Sequence, residues 1–299
     1  MAKATKRGRT HLNRKAPPRA TARQTGKKKP SAGPNTASAT SPASSSTKKQ
    51  PKAQAQHQEP VIPFSSEEAI LLVGEGDLSF AASLIEHYDC ENLTATVLEK
   101  DSEELLEKYP HAAENIDKIE AQGGRVLYGV DARKMGPFAR KGKDPEGTMD
   151  RIIFNFPHVG GKSTDVNRQV RHNQEVLVGF FRRALLSLAP GGTVTVTLFE
   201  GEPYTLWNIR DLGRHAGLQV ERSFSFQPSA YPGYQHARTL GVVKNKKGES
   251  GGGWRGEDRA ARSYVFARKG DVAKPVKASK KRKREDDDSG EDDESGNDD

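Results

Sequence analysis

Cysteine is nearly absent from this chain: one residue in 299, Cys90. That excludes an internal disulfide framework and any zinc site built on cysteines, and it fits a reducing intracellular compartment. Long apolar runs are missing as well. None approaches the 18 residues or so a membrane-spanning helix needs. The basic N-terminus lacks the apolar stretch of a secretory signal. Hydrophobic residues amount to only 33%, against 29% charged, too few to build one core along the whole length.

What the chain has in plenty is charge, unevenly spread. Residues 1–60 carry 14 Lys and Arg against a single acid, Glu59, and almost no large apolar side chain. Such a segment cannot bury enough surface to offset its ordering entropy, and it reads as a disordered basic arm suited to nucleic-acid phosphates. Residues 271–299 open with a basic cluster, Lys280-Lys281-Arg282-Lys283-Arg284, and turn acidic after it. A cluster of that kind is a nuclear-import or nucleic-acid patch, so this end reads as a second disordered tail. Residues 61–270 hold 27 basic and 28 acidic residues. This near-neutral middle is long enough for one buried core.

The middle alternates strand and helix signals. Short apolar runs at 70–73, 94–98, 125–130, 151–154 and 193–199 read as buried parallel strands. A helix is expected over 79–88 with Ser79 as its N-cap, and a polar helical stretch over 101–122, broken near Pro110. The clearest helix covers 168–189, with Val170, Leu177, Phe181, Leu185 and Leu188 on one face, stopped by Pro190-Gly191-Gly192. A further helix is expected over 206–215. Two last strands, 218–226 and 263–267, flank an insertion of roughly 35 residues rich in Gly, Tyr and Arg. The fold class is therefore α/β: a mostly parallel seven-stranded sheet with helices on both faces and an antiparallel last strand, an arrangement that resembles the Rossmann-like methyltransferase domain.

Three features sit at strand C-terminal ends, where open α/β sheets bind ligands. Gly74-Glu75-Gly76-Asp77 follows the first strand, where a glycine pair permits a tight turn and close approach to backbone. Glu99 ends the second strand and can accept both ribose hydroxyls of a nucleoside. Asp131 ends the third and can accept from an adenine amino group. A nicotinamide site would want glycine where Ser79 stands, and its pyrophosphate would be repelled by Glu75 and Asp77. Those acids suit the cationic methionine end of S-adenosylmethionine, the cofactor expected. No metal site is expected.

Asn155-Phe156-Pro157-His158 ends the fourth strand. It resembles the Asn/Asp-Pro-Pro-aromatic loop of methyltransferases acting on planar nitrogen, with Phe156 for the first proline and His158 for the aromatic. A ring imide must lose its proton, and His158 is the candidate acceptor; a turn histidine is the alternative. Lys162, Arg168, Arg171 and His172 rim the same strand ends as candidate RNA-phosphate contacts, or form a solvated helix start. Gly160-Gly161-Lys162-Ser163-Thr164 lacks the preceding glycine of a phosphate loop. In the insertion, Tyr231, Tyr234, His236 and Arg238 interleave aromatics with cations and suit base stacking; a packed loop is the alternative.

The strings ILLVGEGDLSFAASL, FNFPHVGGKSTDVNRQVRHNQ, TLFEGEPYTLWNIRDLGRHAGL and AYPGYQHARTLG resemble the fungal 25S rRNA (uridine-N3)-methyltransferase family, over about residues 68–268. The resemblance implies S-adenosylmethionine-dependent methylation of a uridine ring nitrogen in large-subunit rRNA, on a pre-60S particle, in the nucleus and nucleolus. Asn155 and His158 are then the catalytic candidates. Gly74, Glu75, Gly76, Asp77, Glu99, Asp131 and Asn155 are the cofactor-binding candidates. No membrane partner is expected, and a monomer is. The rival function is a non-catalytic rRNA-binding assembly factor that keeps the fold.

Overall fold

The computed structural model describes residues 59–143, 145–160, 165–239, 241 and 255–276. The expected arm over 1–60, apart from its last two residues, and the Lys280–Arg284 cluster with its acidic tail lie outside the described residues.

Seven strands form one sheet: β1 (Ile70–Leu72), β2 (Leu93–Thr96), β3 (Arg125–Leu127), β4 (Met149–Asn155), β5 (Leu188–Phe199), β6 (Leu218–Phe226) and β7 (Ala261–Arg268). Their order is β3-β2-β1-β4-β5-β7-β6. The first five pair in parallel, and β7 runs antiparallel to both β5 and β6, as the sequence pattern leads one to expect. The pleat divides the apolar runs between two cores. Ile70, Leu72, Ala95, Val97 and Ile153 face one side, beneath α1 (Ser79–Tyr88) and α3 (Ala112–Ala121). Leu71, Ile152, Phe154, Val194 and Val196 face the other, beneath α4 (Val166–Ser187) and α5 (Ile209–His215).

Several boundaries differ from the sequence reading. Ser79 is not the N-cap of α1. Leu78 holds that position in a left-handed conformation (φ 65°), and the first free N–H, that of Ser79, goes to Asp77 Oδ1 at 3.1 Å. The polar stretch splits at Pro110 into α2 (Ser102–Lys108), capped by Asp101 accepting from Glu104 N–H, and α3. The helix α4 ends at Ser187, three residues before Pro190. Buried Leu188 already pairs with Met149 of β4, so tertiary pairing overrides the apolar periodicity. The expected helix over 206–215 is a short 3-10 turn, Tyr204–Trp207, followed by α5. Asn208 at φ 51° breaks it, its side-chain amide donating to Asp211.

Stability is anchored at the opposite end of the sheet from the cleft. Arg151, only 2% exposed, is bound by both oxygens of Glu68 (2.8 and 2.5 Å) and donates to Thr193 Oγ1 (2.8 Å). A guanidinium that deep is tolerated only because its donors are taken up this way.

Candidate active site

A cavity of about 230 Å³ lies at the C-terminal ends of the parallel strands. Its lining brings together Gly74, Glu75, Gly76, Asp77, Glu99, Asp131, Asn155 and His158, with Tyr234 and His236 from the late insertion. These positions are scattered over 160 residues and meet because parallel strands deliver every C-terminal end to one edge.

The glycine loop is shaped by packing. Gly74 sits at φ +67°, and a Cβ there would lie 2.6 Å from the Phe154 ring. A Cβ on Gly76 would lie 2.6 Å from Ala237. Gly76 therefore makes room for the insertion, where the sequence suggested room for a ligand alone. Asp77 is occupied within the loop. It accepts from the Ser79 N–H and hydroxyl (3.1 and 2.8 Å) and meets His111 Nε2 at 2.8 Å. That contact raises the His111 pKa above the usual imidazole range. Ser79 Oγ also accepts from Gln235 N–H at 3.0 Å, joining the insertion to the loop. Glu75 is the acid left facing the cavity. Burial, then the field of Asp77, push its carboxyl up to about 8, opposed by a hydrogen bond from the Ala81 N–H.

Glu99 and Asp131 each carry a cation. Lys108 Nζ lies 2.5 Å from Glu99 Oε1, and Arg133 grips Asp131 through Nε (2.9 Å) and Nη2 (2.7 Å). The Arg133 hydrogen bonds hold the Asp131 carboxyl below its ordinary range. Nothing in the sequence pattern singled out Lys108, Tyr109 or His111. Lys108 ends α2 and the other two lie in the α2–α3 connection, a region the strand-end argument ignores.

The Asn155 loop is the most constrained part. Phe156 adopts φ 50°, a conformation costly for a non-glycine residue and concentrated at functional sites. Its ring packs 4.5 Å from Phe199 and 4.6 Å from His236, and Tyr204 and Trp207 continue the bank of rings. Thr197 Oγ1 donates to Asn155 Oδ1 (2.8 Å) and touches Ser263 Oγ (2.9 Å). Asn155 Nδ2 is buried without a partner. Such a donor costs about 1–3 kcal/mol unless a ligand accepts from it.

One ring nitrogen of His158 is engaged by its own loop. Its Nδ1 accepts from Gly160 N–H at 2.8 Å, so the neutral ring carries its proton on Nε2 and presents a donor. Burial lowers its pKa, which keeps the ring neutral at physiological pH.

Among the RNA candidates, Arg168, Arg171 and His172 are exposed on the first turns of α4, and Lys162 lies outside the described residues. Arg238 is exposed. Tyr231 is corrected: at 4% exposure it stacks on Phe226 (5.4 Å, 16°) within the core beneath α1, and is unavailable to a base. Tyr234 and His236 do line the cavity. His236 is pushed down to about 4 by burial, and its backbone N–H donates to Glu257.

The lining also tests which cofactor fits. Its two cations, Lys108 and Arg133, are each committed to a carboxylate, while Glu75 adds a further acid. Among the described residues a pyrophosphate finds no uncommitted cation there, whereas a nucleoside bearing a cationic end finds carboxylates. A sheet of this order, with that cleft at its parallel edge, defines a Rossmann-like methyltransferase.

The chain belongs to the rRNA (uridine-N3-)-methyltransferase BTM5-like family, whose model matches residues 71–238. Among curated proteins it is 27% identical over 290 residues to the 25S rRNA (uridine(2634)-N(3))-methyltransferase of Saccharomyces cerevisiae, covering 80% of this chain and 84% of that one. It is 34% identical to heavy metal-associated isoprenylated plant protein 41 of Arabidopsis thaliana, over 58% of this chain but only 34% of the plant protein's length. A methyltransferase structure from Pyrococcus furiosus aligns with a TM-score of 0.40 and 21% identity, covering 71% of this chain and 78% of that one.

Proposed function

We propose that this protein transfers a methyl group from S-adenosylmethionine to N3 of a uridine in large-subunit rRNA, in the nucleolus on a pre-60S particle. The observation that carries this reading is the orientation of Asn155. Thr197 occupies the side-chain carbonyl of Asn155, a residue of the cavity lining, and leaves its buried amide N–H without a protein partner among the described residues. A uracil imide offers a carbonyl on either side of N3 and matches that donor. The exocyclic amine of adenine or cytosine is itself a donor and does not. The name of the yeast relative supports the same substrate.

The residues that would hold the cofactor are the Gly74–Asp77 backbone and Glu75, Glu99 at the ribose hydroxyls and Asp131 at the adenine amino group. When bound, S-adenosylmethionine supplies an electrophilic methyl group. The protein's own part concerns the base. As the imide proton leaves to solvent, negative charge spreads over N3 and both carbonyl oxygens. Asn155 Nδ2–H is a buried donor for that charge, stronger away from water than in bulk, and His158 Nε2–H is a second donor at the exposed rim. The ring bank of Phe156, Phe199, Tyr204 and Trp207 supplies the shielding, and Tyr234 and His236 close the cleft above it.

Incubation of the full chain with S-adenosylmethionine and a large-subunit rRNA fragment, followed by nucleoside mass spectrometry, tests the reading. The expected product is 3-methyluridine. A protein that binds both cofactor and RNA yet yields no methylated uridine would be the non-catalytic assembly factor instead.

A further inference from the structure

The β3–β4 connection carries five cations in the eleven residues 133–143 and no acid. The rest of residues 61–270 holds 22 basic and 28 acidic residues, so this is a local concentration of positive charge. The connection is held against α4 at three successive turns. A Cβ on Gly179 would press on the Arg133 side chain at 3.1 Å, Arg183 Nε donates to Met135 O (2.6 Å), and Ser187 Oγ accepts from Phe138 N–H (3.0 Å). Beyond Phe138 the chain folds into a small hairpin, with Arg140 N–H donating to Glu146 O and Thr148 N–H to Phe138 O, both at 2.9 Å. Gly147 seats its return leg: a Cβ there would fall within 2.5 Å of the Ser187–Leu188 backbone. Arg140, Lys141 and Lys143 are exposed at its tip, and Lys134 is exposed near its root.

The same stripe of α4 leads up to the catalytic loop. At about 100° per residue, Arg168 and His172 fall within about 20° of the direction of Gly179. Asn173, one residue on, accepts from Val159 N–H at 3.0 Å and fixes this end of the helix to the Asn155 loop. Arg133 stands where the cleft meets the connection, since it lines the cavity and packs on Gly179. From Arg168 to Ser187 the helix rises about 28 Å, a distance that spans several nucleotides. Along it the acids are few: Glu175 beside Arg133, and Asp144 and Glu146 in the hairpin sequence.

We propose that the outer stripe of α4 and the 133–143 connection form a track for the phosphate backbone of the substrate RNA, running from the cleft mouth to the hairpin tip. The proposal rests on the reading of the protein as an rRNA methyltransferase. It adds where the strand beyond the target nucleotide lies. The rigid docking of the connection fixes the spacing of its cations in advance. The lysines at the tip act as point charges for phosphate, independent of sequence.

The test uses the full chain and a fluorescein-labelled stem-loop RNA taken from large-subunit rRNA, with affinity read by anisotropy across a salt series. Lys141→Glu with Lys143→Glu is compared with a charge-matched pair at the far side of the sheet, Arg222→Glu on β6 with Lys269→Glu just past β7. The hairpin pair should weaken binding about tenfold or more near physiological salt and make the log–log salt slope shallower by about 1.4–1.8, the loss of two phosphate contacts. The far-side pair should change the slope little. Equal effects from the two pairs, or no effect from the hairpin pair, would overturn the track, as would a wild-type chain that does not bind the RNA. RNA bound normally but left unmethylated by the wild type would overturn the proposed reaction and leave the track standing.

Discussion

Thr197 on β5 and Asn155 on β4 are register partners across the sheet, and the threonine hydroxyl donates to the asparagine carbonyl at 2.8 Å. One hydroxyl thereby decides which end of the amide is left for the proposed substrate. Replacing Asn155 by Asp keeps the size and the Thr197 bond but turns the donor into an acceptor. Methyl transfer under single-turnover conditions should fall by about 10²–10³, the usual cost of one preorganised donor. Thr197→Val should cost less, since the amide can still sample its working orientation. An Asn155→Asp variant with wild-type rate would remove the donor from the reaction.

His158 is expected to act as a donor through Nε2. His158→Ala should slow transfer, and His158→Gln, whose amide can place an N–H near the same point, should restore part of the rate. The pH profile separates donor from base. With a donor, the rates of wild type and His158→Ala rise in parallel as the imide ionises. With a base, the variant recovers selectively at high pH. The wild-type rate should also drop on acidification, below the ordinary histidine pKa because burial lowers it. Protonation there places a hydrogen on Nδ1, which then opposes the Gly160 N–H.

Glu99→Ala should weaken S-adenosylmethionine binding by about 1–3 kcal/mol, as expected for hydrogen bonds to a charged acceptor. The substitution also leaves Lys108 without its carboxylate. Lys108→Met and the double variant, measured by calorimetry, therefore complete a cycle. The double variant should bind no more weakly than Glu99→Ala. Glu103→Ala, an exposed acid on α2, is the control expected to do little.

Glu75 links protonation to both stability and cofactor. Its folded pKa of about 8 lies above the 4.5 of an ordinary glutamate. Between those values the folded state binds the extra proton, so stability falls as pH rises from about 4.5 to 8. The contribution is at most about 5 kcal/mol at 1.36 kcal/mol per unit. Glu75→Gln should flatten the dependence of melting temperature on pH across that window. A cationic ligand favours the ionised carboxylate, so wild-type cofactor affinity should rise with pH toward 8 and be accompanied by proton release. Affinity flat with pH would place the ligand's charge elsewhere.

The strand-end residues were legible in the sequence because a parallel sheet converts sequence position into spatial position. Gly74, Glu99, Asp131 and Asn155 each follow an apolar run, and each lines the cavity. Residues that depend on side-chain partnership were not legible. The tyrosines of the insertion look alike along the chain, yet Tyr231 is core and Tyr234 is cavity wall, because the loop folds back over α1 through Tyr88 Oη and Ala230 O (2.6 Å). The tautomer of His158 was not legible either, because a backbone group two residues away sets it. The end of α4 was misplaced because strand pairing at Leu188 competes with a helical pattern that continues on paper.

The bond from Gln235 N–H to Ser79 Oγ ties the insertion, proposed to meet RNA, to the loop proposed to meet the cofactor. Neither surface can be reshaped without moving the other's anchor. By linkage, whatever free energy one ligand adds to the binding of the second is returned in equal measure to the first. In the proposed reaction, leaving the methyl on the RNA changes the charge of the bound cofactor, and this joint would then couple cofactor exit to release of the strand.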